Sequence, residues 1–162
     1  MRRLSFIAAA MAAALMPTLS SQAPQALSLT GDYALTHDPS MGREGNTYYV
    51  FATGRAPGGG QFAIRCSTNL TDWKLCGHVF DDIPAWIRAA SPRTRDLWAP
   101  DISYFNGKYH LYYAYSAFGI NTSGIALATN DTLDPQSPKY SWKDEGLVLK
   151  SVASDEIGRA HV

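Results

Sequence analysis

GNTYYVFATG, residues 45–54, and NGKYHLYYAYS, residues 106–116, are two aromatic, alternating stretches, each introduced by a glycine-containing turn. Alternation at period two, rich in Tyr, Val and Phe, is the pattern of a β-strand. The segments downstream repeat as well: IRCSTNLTDWKLCGHVF (64–80) after the first and ALATNDTLDPQSPKYSWKDEGLVL (126–149) after the second. Laid on one another, Tyr48 matches Tyr109, Asn69 matches Asn130, Trp73 matches Trp142, Gly77 matches Gly146 and Val79 matches Val148, with an insertion around Pro135–Tyr140 in the second copy. Each unit then holds about four short strands, the content of one β-propeller blade. The predicted fold class is all-β, with about two blades in this chain. A blade does not bury both faces alone, and a propeller closes as a ring of roughly four to eight. Two blades leave aromatic surface exposed and an edge strand unpaired. A small complete β-sandwich is the other architecture that the strand content permits.

The two ends of the 162-residue chain read differently from its middle. MRRLSFIAAAMAAALMPTLSSQA has a basic start at Arg2 and Arg3, an apolar run over Leu4–Met16 and small residues after it, the layout of a secretory signal peptide. The run is short for a membrane span and no basic flank comes after it, so residues 1–26 are expected to be a leader cleaved between Ser20 and Ala26. At the other end, Glu156–Val162 (EIGRAHV) continues no strand pattern. Back-translated as GAG ATC GGA AGA GCA CAC GTC, it is similar to the start of a common sequencing-library adapter, in register with a stop codon. Residues 156–162 are therefore expected to be a non-native tail, and residues 27–155 the N-terminal part of a propeller domain.

Composition narrows the function classes. The formal net charge is zero with neither sign clustered along the sequence, so no nucleic-acid footprint is present, and the leader points to a secreted protein rather than a membrane protein. Nine tyrosines and four tryptophans suit both a β-rich core and stacking on the apolar faces of sugars. Cys66 and Cys76 sit in two short strands around a polar turn; antiparallel pairing would let them face each other, and an oxidising compartment favours a disulfide over two buried thiols. Two cysteines with no histidine at matching spacing disfavour zinc.

In each copy a proline with a neighbouring carboxylate precedes the aromatic strand: THDPSMG and WAPDISYF. The first strand of a propeller blade lines the central channel, so side chains at its start converge on one ligand. Pro39 biases Asp38 toward an extended backbone, which would aim its carboxylate in one direction; a turn cap is the competing role for Asp38.

The ordered set LTHDPSM (35–41), LWAPDISYFNGKYHLYYAYSAFGINTSGIALATN (97–130) and WKDEGLVLKSVASD (142–155) resembles glycoside hydrolase family 43, and within it the arabinan-degrading endo-1,5-α-L-arabinanases. The resemblance implies a five-bladed propeller that hydrolyses glycosidic bonds with inversion, using an aspartate base, a glutamate acid and a second aspartate that raises the acid's pKa. The base matches Asp38. The acid and the modulating aspartate belong to family segments beyond Asp155, and neither Asp155 nor Glu156 matches those positions. The resemblance also implies substrate contacts for Trp98 and Phe118 and a cleft-side place for Asp101; His37, by its adjacency to Asp38, is a candidate to tune or orient the base and bind substrate. For Trp98 the alternative is ordinary core, and for Asp101 a bond between blades. The substrate implied is plant cell-wall arabinan and its oligosaccharides. The family's axial metal ion, such as calcium, has no ligand set in this sequence; His161 does not match its histidine, and no cofactor is identifiable.

Asp81, Asp82 and Asp96 read as loop charges, and His78 and His110 as structural. Asn69, Asn121 and Asn130 head Asn-X-Ser/Thr sequons. Two further functions compete with the endo-arabinanase reading: an exo-acting arabinofuranosidase or β-xylosidase with the same base, and a non-catalytic sugar-binding propeller. As written, with a base and no acid, the chain is expected not to hydrolyse arabinan.

Overall fold

A computed structural model describes residues 26–120 and 122–152. The expected leader up to Gln25, Asn121, and everything from Ala153 onward, including the expected tail, lie outside the described residues.

Two sheets and one short helix make up the fold of the described residues. The first sheet holds β1 (Thr30–Gly31), β2 (Ser40–Glu44), β3 (Thr47–Phe51), β4 (Gln61–Ser67) and β5 (Asp72–Phe80); the second holds β6 (Leu97–Phe105), β7 (Lys108–Tyr115), β8 (Gly124–Asn130) and β9 (Lys143–Lys150). Their orders are β1-β5-β4-β3-β2 and β6-β7-β8-β9, so each sequence copy is a four-stranded meander, one propeller blade. The fifth strand of the first blade, β1, was not legible in the repeat. It lies parallel on the outer strand β5, where a Cβ on Gly31 would collide with the Trp73 carbonyl oxygen, so only glycine permits this approach.

The two blades agree residue by residue. Tyr48 faces Ser67 as Tyr109 faces Asn130, Ile64 faces Gly77 as Leu127 faces Gly146, and Cys66 faces Lys74 as Thr129 faces Lys143. Both copies shift register at the same point, after Ile64 in one and after Leu127 in the other. One predicted match is corrected: the counterpart of Asn130 is Ser67 rather than Asn69. The turn between β4 and β5 is shorter than the loop between β8 and β9, so identity at Asn69 arose from alignment across a gap. Both side chains still organise their loops, Asn69 Oδ1 accepting from the Thr71 and Asp72 amides and Asn130 Oδ1 from the Asp131 and Ser141 amides.

The blades pack head to tail. Tyr49, Phe51 and Ile64 of the first blade are buried, and so are Tyr109, Leu111 and Tyr113 of the second. Register makes these opposite faces of the repeat: Val50, the counterpart of Leu111, is half-buried, and so is Tyr112, the counterpart of Phe51. Edge-to-face ring pairs, Phe51 with Trp142 and Phe62 with Tyr113, join the blades at 5.7 and 5.4 Å between centroids. A polar staple adds to them: the Glu44 carboxylate at the end of β2 accepts hydrogen bonds from Thr132 Oγ1 and the Leu133 amide. On the face of the second blade turned away from the first, Phe105 and Leu149 remain 43% and 66% exposed.

The link between blades contains a helix that strand-pattern reading missed, α1 (Ala85–Ala90), with Pro84 at its N-cap and Ile87 fully buried. Proline followed by Ala-Trp-Ile-Arg-Ala-Ala is its sequence signal. No helix among the described residues is long and apolar enough to cross a membrane.

Candidate active site

The inner strands β2 and β6 lie side by side, so the residues that enter them meet. Asp38 immediately precedes Pro39 and β2; Ala99 immediately precedes Pro100, inside β6 at an irregularity between Trp98 and Asp101. Contrary to the extended conformation that proline implies, Asp38 has φ +47°, and Ala99 has φ +46°. This left-handed region disfavours a residue with a Cβ, and Asp tolerates it better than Ala. Because Ala99 adopts it without a polar side chain, the demand comes from the backbone path into the inner strand. The carboxylate is what distinguishes the first copy.

That path is held by hydrogen bonds. Thr53, just past β3, donates its amide to the His37 carbonyl and Gly54 donates its own to the Leu97 carbonyl, each at 3.0 Å. The Thr53 hydroxyl accepts from the Ala99 amide at 2.7 Å and donates to Asp38 Oδ2 at 2.8 Å. One side chain thus ties the two pre-proline positions together. Thr53 was not singled out in the sequence, because nothing local marks a threonine at a strand end as a bridge between segments 46 residues apart. His37 Nδ1 lies 2.8 Å from the same Asp38 oxygen. Asp38 Oδ1 has no hydrogen-bond partner among the described residues, and the side chain is 40% exposed. The outcome is a carboxylate anchored through one oxygen with the other open to solvent, an arrangement suited to accepting a proton from water.

The buried Arg65 secures the segment leading to Asp38 by donating to the Asp32 and Ala34 carbonyls at 2.5 and 2.9 Å. Burial lowers the pKa of its guanidinium while nearby Asp32 opposes that shift. Asp101, the register counterpart of Ser40 rather than of Asp38, faces solvent and accepts from Ser40 Oγ at 3.4 Å across the blade boundary. Ser40 Oγ also accepts from the Ile102 amide. Trp98 and Phe118 stand together as an edge-to-face pair with centroids 5.0 Å apart, Phe118 being 68% exposed. They line one cavity of about 480 Å³ in which Asp38, His37 and Asp101 take no part. The aromatic pair and the carboxylate are therefore adjoining features, joined through the short step from Trp98 to Ala99.

Other predicted residues lie elsewhere. Cys66 and Cys76 are bridged as a disulfide between β4 and β5, with Cα atoms 6.1 Å apart. His78 bonds Asp81 at 2.8 Å, Asp82 pairs with Arg88, Asp96 pairs with Arg55, and His110 stacks on Phe105. Among the described residues no three His, Cys, Asp or Glu side chains converge.

Comparison with known proteins agrees with this architecture. The sequence pattern of glycosyl hydrolases family 43 matches residues 33–157. The extracellular exo-α-(1→5)-L-arabinofuranosidase ArbA of Cellvibrio japonicus is 43% identical over 125 residues, 76% of this chain and 35% of that protein. The extracellular endo-α-(1→5)-L-arabinanase 1 of Bacillus subtilis is 38% identical over 156 residues, 95% of this chain and 46% of that protein. Among solved structures, the Cellvibrio cellulosa α-L-arabinanase complexed with arabinohexaose superposes with a TM-score of 0.66 at 45% identity, covering 72% of this chain and 36% of that one. The native Bacillus subtilis arabinanase Arb43A gives 0.66 at 37% identity, covering 76% and 41%. The chain spans less than half the length of these relatives. With two propeller blades, a solvent-open aspartate at the inner-strand entrance and this sequence match, the chain belongs to glycosyl hydrolases family 43.

Proposed function

We propose that these two blades are the base-bearing part of a secreted, five-bladed inverting glycosidase that cleaves α-1,5-linked arabinan of plant cell walls. The observation that carries the reading is Asp38: fixed through Oδ2 by Thr53 and His37, with Oδ1 free of protein partners among the described residues. In the proposed reaction the ionised Asp38 removes a proton from water as the water oxygen bonds to the anomeric carbon. The bond to the leaving sugar oxygen breaks, and a glutamic acid from a later segment returns a proton to that oxygen. Inversion needs the two carboxyl groups about 6.5–9.5 Å apart, so that a water fits between base and sugar. Trp98 and Phe118 supply ring faces for arabinofuranose beside the base. The open apolar face with Phe105 and Leu149 is where a third blade would pack, and the names of the extracellular relatives support export.

Exo action is the second reading, favoured by the 43% identity to the exo-acting relative. The test is to sequence the native locus past codon 155 and assay its product on linear arabinan. Oligosaccharides with inverted anomeric configuration establish endo action, and arabinose alone establishes exo action. If the locus encodes further blades but no later acid, its product is a sugar-binding propeller and the catalytic reading falls. Turnover of arabinan by the 162-residue chain alone would overturn the assignment of the acid to a later segment.

A further inference from the structure

Four arginines converge on the cavity of about 480 Å³ beside Trp98. They come from separate places: Arg55 after β3, Arg88 in α1, and Arg93 and Arg95 in the loop before β6. Among the described residues the lining holds a single carboxylate, Asp96. In a chain of zero net charge, so local an excess of positive charge is a feature of this site rather than of the whole surface. Two of the guanidiniums are already neutralised, Arg55 by Asp96 at 3.4 Å and Arg88 by Asp82. Arg93 and Arg95 are exposed and make no ion pair or side-chain hydrogen bond among the described residues.

A second observation is independent of charge. Thr94, between the two uncommitted arginines, is only 3% exposed, and its hydroxyl has no hydrogen-bond partner among the described residues. The indole Nε1 of Trp98 is likewise buried and unpartnered. Buried polar groups are ordinarily satisfied, and here both orphans belong to residues lining the same cavity. The site therefore combines an aromatic pair and two free guanidinium forks, with two unused polar groups buried behind its lining. A neutral arabinose calls for the rings but not for the guanidiniums, whose planar donor geometry matches a carboxylate.

We propose that this cavity is a subsite for an acidic sugar, a uronate whose carboxylate is held by Arg93 and Arg95 while its ring lies against Trp98 or Phe118. The inference rests on the carbohydrate-active reading of the chain and extends it, since the arabinan recognised would then be arabinan still attached to an acidic polysaccharide. The ring pair is what favours a sugar acid over a free inorganic anion, which offers nothing to stack.

The test is calorimetric titration of the 162-residue chain with trigalacturonate, its methyl ester and neutral arabinotriose. Trigalacturonate should bind roughly tenfold more tightly than its ester, the scale of two exposed charge-assisted contacts. Arg93→Gln/Arg95→Gln should remove that advantage and leave arabinotriose within about twofold, the scale of a few tenths of a kcal/mol. Failure of a folded chain to bind trigalacturonate, equal binding of acid and ester, or an unchanged double variant overturns the proposal. Displacement of trigalacturonate by an equal concentration of inorganic phosphate also overturns it, in favour of a plain anion site. If the double variant does not fold, a salt series on the unsubstituted chain decides, because only charged contacts are screened. Selective weakening of the acid supports the subsite, and parallel behaviour of acid and ester sinks it. Trigalacturonate binding with no arabinotriose binding leaves the acidic subsite standing and removes the arabinan reading.

Discussion

The two blades share a backbone and differ in what they hang on it. Asp38 and Ala99 occupy the same pre-proline position with φ within one degree of each other, yet one presents a carboxylate and the other a methyl group. The same contrast recurs at the outer strands. Cys66 and Cys76 are bridged in the first blade, and their register counterparts in the second, Thr129 and Glu145, meet in a hydrogen bond of 2.8 Å. A repeat therefore specifies where a cross-link or a functional group sits without specifying its chemistry. This is how one copy can carry a site while the other serves as its scaffold.

The largest expected effect breaks the first of these contrasts. In the product of the native locus, Asp38→Ala should lower kcat on linear arabinan by about 10²–10⁴, the usual contribution of a general base. Adding Ala99→Asp should restore nothing, since position 99 lies within β6 after Trp98 and lacks the His37 that flanks Asp38 at the entrance to β2. Steady-state kinetics of the single and double variants check this, and recovery in the double variant would show that the two positions are interchangeable.

The two faces of the second blade give the next contrast. Leu111, fully buried against the first blade, should cost about 2–5 kcal/mol on replacement by Ala. Leu149, on the open face, should shift stability by no more than about 0.5 kcal/mol in this chain. Urea midpoints of the two variants read the difference directly. Comparable losses at both sites would mean that the open face is covered in solution.

The paired cross-links come third. Replacing both Cys66 and Cys76 with Ser should cost about 2–3 kcal/mol, as expected for closing a short loop. Thr129→Val should cost about 1 kcal/mol, the net worth of one hydrogen bond. The same unfolding experiment ranks them.

The gentlest perturbation is alkaline. Burial pushes the phenols of Tyr109 and Tyr140 up to about 12, from an ordinary value of 10.0. Between those values the unfolded chain has released protons that the folded chain retains. Stability is therefore complete below about pH 10 and falls as pH rises toward about 12. The tyrosinate absorbance of these two phenols should appear late and together with loss of near-ultraviolet circular dichroism. Early ionisation of every tyrosine in a still-folded chain would contradict the burial.

The periodic part of this protein is legible in its amino-acid order alone. Period-two alternation and the spacing of Tyr48 and Tyr109, Gly77 and Gly146, and Trp73 and Trp142 were enough for two four-stranded blades, because strand pairing follows local pattern and turn length. HDPS and LWAPDI were enough to mark the family, since a motif keeps its residue types next to one another. The remainder came from how the chain packs. The left-handed backbone at Asp38 opposes the local bias of Pro39 and is held by Thr53, which arrives from another strand. Arg55, Arg88, Arg93 and Arg95 look like scattered charges in a neutral chain until packing brings them to one cavity. Convergence of residues from separate segments is a property of how the blades dock, and that docking has no periodicity along the sequence from which it can be read.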